Sequence, residues 1–465
     1  MKKVDSLRKK YPRFVYEDYS YTIEGRDLSI SFDFSIEPGI HFKPSLVVKN
    51  IDKSRFNRLD KRVLDNLVFH LGLIESLSYW KAACSPEIEI RAGELSKKQI
   101  KWWQDLIING MGQFFYENNI DWRRKEFLKI KSNSKDKLEK YSESLKGRVL
   151  IAIGGGKDSV VTLEALKKAK QKINCFSLNP TPPAKKIIKI GGFQKPIFVE
   201  RKIDKRLLKL NRQGFLNGHT PFSAYLAFLS ILLSVIFDYR YLAFSNERSS
   251  NEGNLKYLGK NINHQYSKSF DFEKKFVKYS QKYLASQARY FSFLRPLYEI
   301  QITKLFSKHP KYFTAFLSCN EAFKTHSGQT KPGGRWCTNC PKCLFIYACL
   351  YPFLNKFQLR RIFKANFFRK IGLVSLMEQL VGEKKFKPFE CVGTEKESLV
   401  AFYLSWKKTH RRGETPFLLK HFEKKILPKY SNLEKEAEEM MKSWNKKNNL
   451  PRELKKLLKR TVDKS

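Results

Sequence analysis

Six consecutive residues, Gly154-Gly155-Gly156-Lys157-Asp158-Ser159, put a closely approachable backbone, a cation, a carboxylate and a hydroxyl into one turn. The apolar run VLIAI at 149–153 precedes them and the helical pattern VVTLEALKKA follows. Glycines let a backbone come close to an anion, and a helix start offers unpaired N–H groups and the positive end of a dipole. Gly154, Gly155 and Gly156 are therefore expected to cradle phosphate, with Lys157 as a mobile cation and Ser159 as a hydroxyl and cap. Asp158 is expected to hold Mg²⁺ beside a pyrophosphate. The spacing differs from the G-x-x-x-x-G-K-S/T loop of kinases and ordinary ATPases.

A second group is Cys337-Thr-Asn-Cys340-Pro-Lys-Cys343, with Cys319 upstream as a fourth thiol. Four thiolates make a closed tetrahedral site, which suits structural Zn²⁺ and leaves no open position for catalysis. An iron–sulfur cluster and plain unliganded thiols are the alternatives. Cys84, Cys175, Cys349 and Cys391 stand alone and read as core thiols.

Three more segments carry chemistry. His219, in Asn217-Gly218-His219-Thr220-Pro221, is a turn histidine expected to be poised near neutrality as a base, or else to serve only a helix entry. Ser245-Asn246-Glu247-Arg248 ends the strand-like run YLAFS. Glu247 can act as a base or Mg²⁺ ligand and Arg248 as a bidentate anion clamp, against the plainer reading of a surface ion pair. His264 and Lys268 form a polar group suited to substrate or to a solvated turn, and Arg295 is an anion-binding candidate or a cap.

These residues need a scaffold, and 465 residues with 42% hydrophobic content are enough for two or three domains. Residues 11–50 alternate polar and apolar with turn signals at Glu24-Gly25 and Pro38-Gly39, which predicts an antiparallel sheet. Helical periodicity follows at 61–81 and 97–116, so residues 1–120 read as an amino-terminal α+β domain. Residues 121–147 are dense in charge and read as a connector. From 148 to 305 short apolar runs alternate with helical segments, the pattern of a doubly wound parallel α/β sheet that binds ligands at its carboxyl edge. Residues 306–355 hold the cysteine knuckle, and 356–465 read as a basic helical region. The apolar run Phe222 to Phe237 is shorter than a membrane span and reads as a buried helix. The opening residues lack the apolar stretch of a secretory signal, which predicts a cytoplasmic protein.

The formal net charge is +45, from 90 Lys and Arg against 45 Asp and Glu. Such charge suits a nucleic-acid partner or an anionic small substrate. The basic residues are scattered and no nucleic-acid module is recognisable, which favours the small substrate.

The glycine run resembles the SGGxDS loop of the PP-loop ATP pyrophosphatases, with Gly154 in place of the usual serine. The resemblance implies that ATP is split to AMP and pyrophosphate as an acid is adenylylated. Longer segments resemble the UDP-N-acetylmuramoyl-L-alanyl-L-glutamate epimerase (MurL) family. They are ESLSYWKAACSPEIEI (75–90), NRQGFLNGHTP (211–221), AFSNERSSNEG (243–253), NHQYSKSFDFE (263–273), FLRPLYEI (293–300), SCNEAF (318–323), RWCTNCPKC (335–343) and KPFECVG (387–393). That resemblance implies a PP-loop-type sheet and ATP-dependent inversion of the terminal glutamate of a UDP-linked muramoyl dipeptide. A deazaguanine nitrile synthase or tRNA-modifying PP-loop enzyme is the alternative within enzymes. A zinc-dependent nucleic-acid-binding module is the alternative outside them. Cys84 is a weak candidate for a racemase thiol, because Ala82 and Ala83 beside it supply no activating charge.

Overall fold

The computed structural model describes residues 3–132, 138–323, 325–326, 329–330, 335–384 and 388–464. Parts of the expected connector (133–137), of the expected knuckle region (324, 327–328 and 331–334) and the first residue of the KPFECVG segment lie outside the described residues.

β1 (Arg13–Glu24) and β2 (Asp27–Glu37) form the antiparallel hairpin that the alternation predicts, closed by Gly25 at φ 61°. Along β2, Leu28, Ile30, Phe32 and Phe34 are buried at every second position, because a strand turns alternate side chains to one face. β3 (Ile40–Phe42) and β4 (Ser45–Val48) pair antiparallel with β2. β5 (Glu87–Ile90) joins β1 in parallel, and β6 (Lys129–Ser132) joins β5 in parallel. The expected connector thus contributes an edge strand. Its sequence, Lys-Ile-Lys-Ser, is too short and charged to read as one, and lysines are what protect an open edge.

β7 (Val149–Ala152), β8 (Ile173–Leu178), β9 (Ile197–Lys202), β10 (Tyr241–Phe244) and, beyond a small β11 (Leu255–Tyr257) and β12 (Lys260–Ile262) hairpin, β13 (Arg289–Ser292) build the parallel half. Their spatial order is β9-β8-β7-β10-β13, so successive connections run one way from β7 and then the other. The reversal leaves a crevice at the carboxyl ends of β7 and β10. β4 pairs antiparallel with β9, from Ser45↔Lys202 to Val48↔Val199. Among the described residues the sheet therefore has eleven strands, ten in one unbroken path with β3 beside β2, and it crosses the boundary expected between the amino-terminal and nucleotide-binding regions.

Alternation on the central strands divides the core. Leu150, Leu242 and Tyr290 face the side covered by the Lys61–Trp80 and Phe222–Phe237 helices. Val149, Ile151, Ala243 and Phe291 face the side covered by Lys157–Leu166 and the carboxyl-terminal helices. Phe222–Phe237 is a buried helix as its apolar run predicts, and Ser230 and Ser234 donate to Ala227 O and Ile231 O, which satisfies both hydroxyls inside it. Among the described residues, no helix is long and apolar enough to cross a membrane. The carboxyl-terminal region is helical, and its helices Pro341–Leu350 and Glu395–His410 pack together and against Glu299–Ser307.

Candidate active site

The glycine turn leaves β7 and enters the Lys157–Leu166 helix at the strand-order reversal. Gly155 has φ 100°, and a Cβ there would lie 3.1 Å from the backbone nitrogen of Ala184. A side chain there is strained by the backbone conformation and crowded by Ala184. A Cβ on Gly156 would lie 3.1 Å from Ser318 Oγ, whereas Gly154 has nothing within 4 Å. The open space at Gly154 would take a serine without a clash, so packing does not demand glycine there. Ser159 is not the expected cap: Gly156 stands at the N-cap without a side-chain cap bond, and Ser159, inside the first helical turn, donates to Gly156 O at 2.8 Å.

Behind the turn sit three carboxylates. One oxygen from each of Asp158, Glu247 and Glu299 lies within 4.8 Å of the others. Asp158 comes from the first helical turn, Glu247 from the loop after β10, and Glu299 from the start of the Glu299–Ser307 helix. Hard oxygen donors of this number and spacing fit Mg²⁺. Burial, and then the Glu299 charge, push the Asp158 carboxyl up to about 6 and raise that of Glu247. Glu299 is held low despite burial, because Lys157 contacts it and Lys342 lies 3.7 Å away. Lys157 is a correction to the expectation of a mobile cation. Its side chain has no exposed surface and its ammonium is gripped by Asp158 and Glu299, so it is the internal counter-charge of the carboxylates. Burial opposes that charge, but the two carboxylates outweigh it and hold the ammonium above its ordinary pKa.

The remaining expected residues divide. His219 and His264 come together, with ring centroids 6.5 Å apart. Gly218, at φ 154°, shapes the turn and Lys81 fixes it by donating to Gly218 O at 2.7 Å. The expected near-neutral pKa of His219 is corrected: burial, then His264, Lys81 and Lys268, push it down to about 3, so the ring is neutral. Lys268 lies 3.3 Å from Cys391 Sγ. Arg248 lies over the Tyr298 ring at 4.2 Å and donates to Ser443 Oγ at 2.8 Å. It lines a shallow cavity of about 460 Å³ with Tyr298, Thr394, Asn445 and Lys447.

Arg295 is fully buried and turned inward. It donates to Glu247 O and Ser250 Oγ at 2.8 Å, to Ser292 Oγ at 3.1 Å, to Lys268 O, and to Glu273 at 3.0 Å. The anion that Arg295 meets is Glu273, and its work is to hold the backbone of Glu247 and Lys268 in place.

Cys319, Cys337, Cys340 and Cys343 converge so that all four sulfurs lie within 4.8 Å of one another. Cys340 also caps the Pro341–Leu350 helix, its sulfur accepting from Cys343 N at 3.4 Å. Four soft donors at this spacing fit tetrahedral Zn²⁺. The cluster adjoins the glycine turn, because Leu317 N donates to Gly155 O at 3.0 Å two residues before Cys319.

Sequence reasoning passed over Glu299, Lys342 and Glu397, and read Cys391 only as a core thiol. Glu397 is buried, accepting from Glu299 N at 2.6 Å and Ser249 Oγ at 3.0 Å, and burial together with the Glu299 charge pushes it up to about 7. Cys391, expected in the core, is instead half-buried beside Lys268 and His264. Glu299 and Cys391 fall inside FLRPLYEI and KPFECVG, but a lone acid or thiol has no periodicity that marks it.

A family model of the MurL N-terminal domain matches residues 5–293. The chain belongs to the MurL family. The MurL C-terminal domain matches residues 315–437, which contain the four-thiol cluster, Lys342, Cys391 and Glu397. Both MurL domains therefore contribute side chains to one site. Three relatives carry the name UDP-N-acetyl-alpha-D-muramoyl-L-alanyl-L-glutamate epimerase. That of Xanthomonas oryzae pv. oryzae is 32% identical over 80% of this chain and 81% of its own length. That of a Micromonospora species is 32% identical over 72% and 73%, and that of Salinispora tropica 31% over 74% of each. No solved structure matches the chain.

Proposed function

We propose that this chain is an ATP-dependent epimerase that inverts the terminal L-glutamate of UDP-N-acetylmuramoyl-L-alanyl-L-glutamate, through an acyl adenylate, with release of AMP and pyrophosphate. The observation that carries the nucleotide part is the carboxylate trio behind a glycine turn at the carboxyl edge of parallel strands. The printed names of the relatives support the substrate, and the order of the parallel strands is consistent with a PP-loop-type sheet. The reading makes it a cytoplasmic enzyme of peptidoglycan precursor synthesis.

An α-proton beside a free carboxylate is hardly acidic, because its removal builds a second negative charge next to the first. Adenylylation removes the first charge, an enolate can then form, and water finally releases AMP. In this reading the amides of Gly154 to Gly156 and the helix start hold the pyrophosphate. Asp158, Glu247 and Glu299 would hold Mg²⁺, which supplies neutralising charge to the phosphates. Lys157 and Lys342 keep three carboxylates from repelling one another before ligands arrive. Arg248 is the anion clamp for substrate, and the His219, His264 and Lys268 group lines the place of proton transfer. Cys319, Cys337, Cys340 and Cys343 would hold Zn²⁺ and brace the segment that supports Gly155.

Incubation with ATP, Mg²⁺ and the UDP-linked dipeptide in D₂O tests this. Deuterium should enter the glutamate α-carbon only with ATP, with about one AMP and one pyrophosphate per D-glutamyl product. Exchange without ATP, or formation of ADP, refutes it.

A further inference from the structure

One more constellation borders the carboxylate trio. Cys391 Sγ lies 3.9 Å from His264 Nε2 and 3.3 Å from the Lys268 ammonium. On the other side of the ring, His264 Nδ1 lies 2.7 Å from Asn254 Oδ1. The Asn254 amide is oriented by its neighbours: its Nδ2 donates to Pro388 O at 3.2 Å, and its Oδ1 accepts the His264 backbone N–H at 3.2 Å. An amide oxygen only accepts, so Nδ1 carries the ring proton and Nε2 turns its lone pair toward the Cys391 thiol.

Thiol, imidazole and orienting amide in this sequence form the arrangement that activates a sulfur. The thiol is also tied to the carboxylates. Lys342 donates to the Cys391 carbonyl and lies 3.7 Å from Glu299. A cysteine that only filled space would be enclosed, as Cys175 and Cys349 are.

We propose that Cys391 carries the α-proton on one face of the activated glutamate, with His264 as its base and Asn254 as the group that orients His264. The proposal rests on the epimerisation reading above. The thiol proton passes to His264 Nε2. The thiolate then takes the α-proton as the Cα–H bond breaks, and that electron pair enters the activated carbonyl to give an enolate. Water protonates the enolate from the opposite face, and the hydroxide left behind takes the proton held by His264. No oxidant or reductant is required.

Two experiments on the full-length chain separate this assignment from the reading it rests on. In the first, iodoacetamide at pH 7 without substrate is followed by peptide mass spectrometry at Cys391. Alkylation should slow by ~10-fold or more in His264→Ala and clearly in Asn254→Ala, since a thiol reacts only as its thiolate. In the second, Cys391→Ala and Cys391→Ser should lose ~100-fold or more of the ATP-dependent deuterium incorporation, the usual worth of a positioned acid or base. ATP–pyrophosphate exchange should fall far less in the same variants. Unchanged alkylation rates, wild-type deuterium entry in Cys391→Ser, or a dipeptide adduct on Cys391 would each overturn the role of Cys391 as proton carrier. If the wild-type chain shows no ATP-dependent deuterium entry, the epimerisation reading fails and the proton-carrier proposal with it. The alkylation result then still judges whether the thiol is activated.

Discussion

Replacing Arg295 by methionine keeps length and apolar volume but removes the guanidinium that joins Glu247, Ser250, Lys268, Glu273 and Ser292. The Glu273 side chain is 1% exposed, and its second oxygen has no partner among the described residues. The variant therefore strands a buried carboxylate, which costs about 3–5 kcal/mol. Of the two backbone carbonyls only one keeps a full partner, because the single Ser250 hydroxyl proton can go to Glu247 O at 2.8 Å or to Lys268 O at 3.0 Å. An unfolding entropy of ~2.1 cal/mol/K per residue over the whole chain comes to about 1 kcal/mol/K, so the melting temperature should fall by ~3–5 °C. Urea unfolding without ligand gives the free energy directly. Adding Glu273→Leu removes the stranded charge, so the double variant should be more stable than Arg295→Met alone. A ligand-free Arg295→Met protein as stable as wild type, with weakened substrate capture, would refute the reasoning and restore Arg295 as a direct anion contact.

Asp158→Asn should abolish pyrophosphate release while circular dichroism and melting stay near wild type, because one carboxylate of the trio is lost and Lys157 keeps Glu299. Carefully prepared protein should contain about one zinc per chain by elemental analysis, and Cys340→Ser should release it and lower the melting temperature. Glu397 is raised to about 7 from an ordinary 4.5. The folded state therefore binds its proton more tightly, and the stability this brings is full below about pH 4.5 and is lost as pH rises through 7. The shift is worth roughly 3 kcal/mol, so Glu397→Gln should remove most of that decline between pH 5 and pH 8 in urea unfolding. The slope contributed by Asp158 should remain.

What the sequence determined by itself is what local rules govern. Alternation marked β1 and β2, helical period marked Lys61–Trp80, and an unbroken apolar run marked Phe222–Phe237 as buried. The glycine turn was legible because strand, three glycines and helix follow one another without a gap, and the thiol cluster because two-residue gaps put Cys337, Cys340 and Cys343 within one turn. Only the tertiary structure joined β4 to β9 and made two expected regions one sheet, since strand pairing between residues over 150 positions apart leaves no local pattern. It also decided which charges face one another. Nothing in their spacing marked Glu299, Lys342 or Glu397, and Lys157 read as a mobile cation. Long-range packing buries them together, and there each one's charge depends on the others, because a low-dielectric interior strengthens every interaction between them. The same holds for Cys391, which meets His264 and Lys268 through a fold that no spacing in the sequence records.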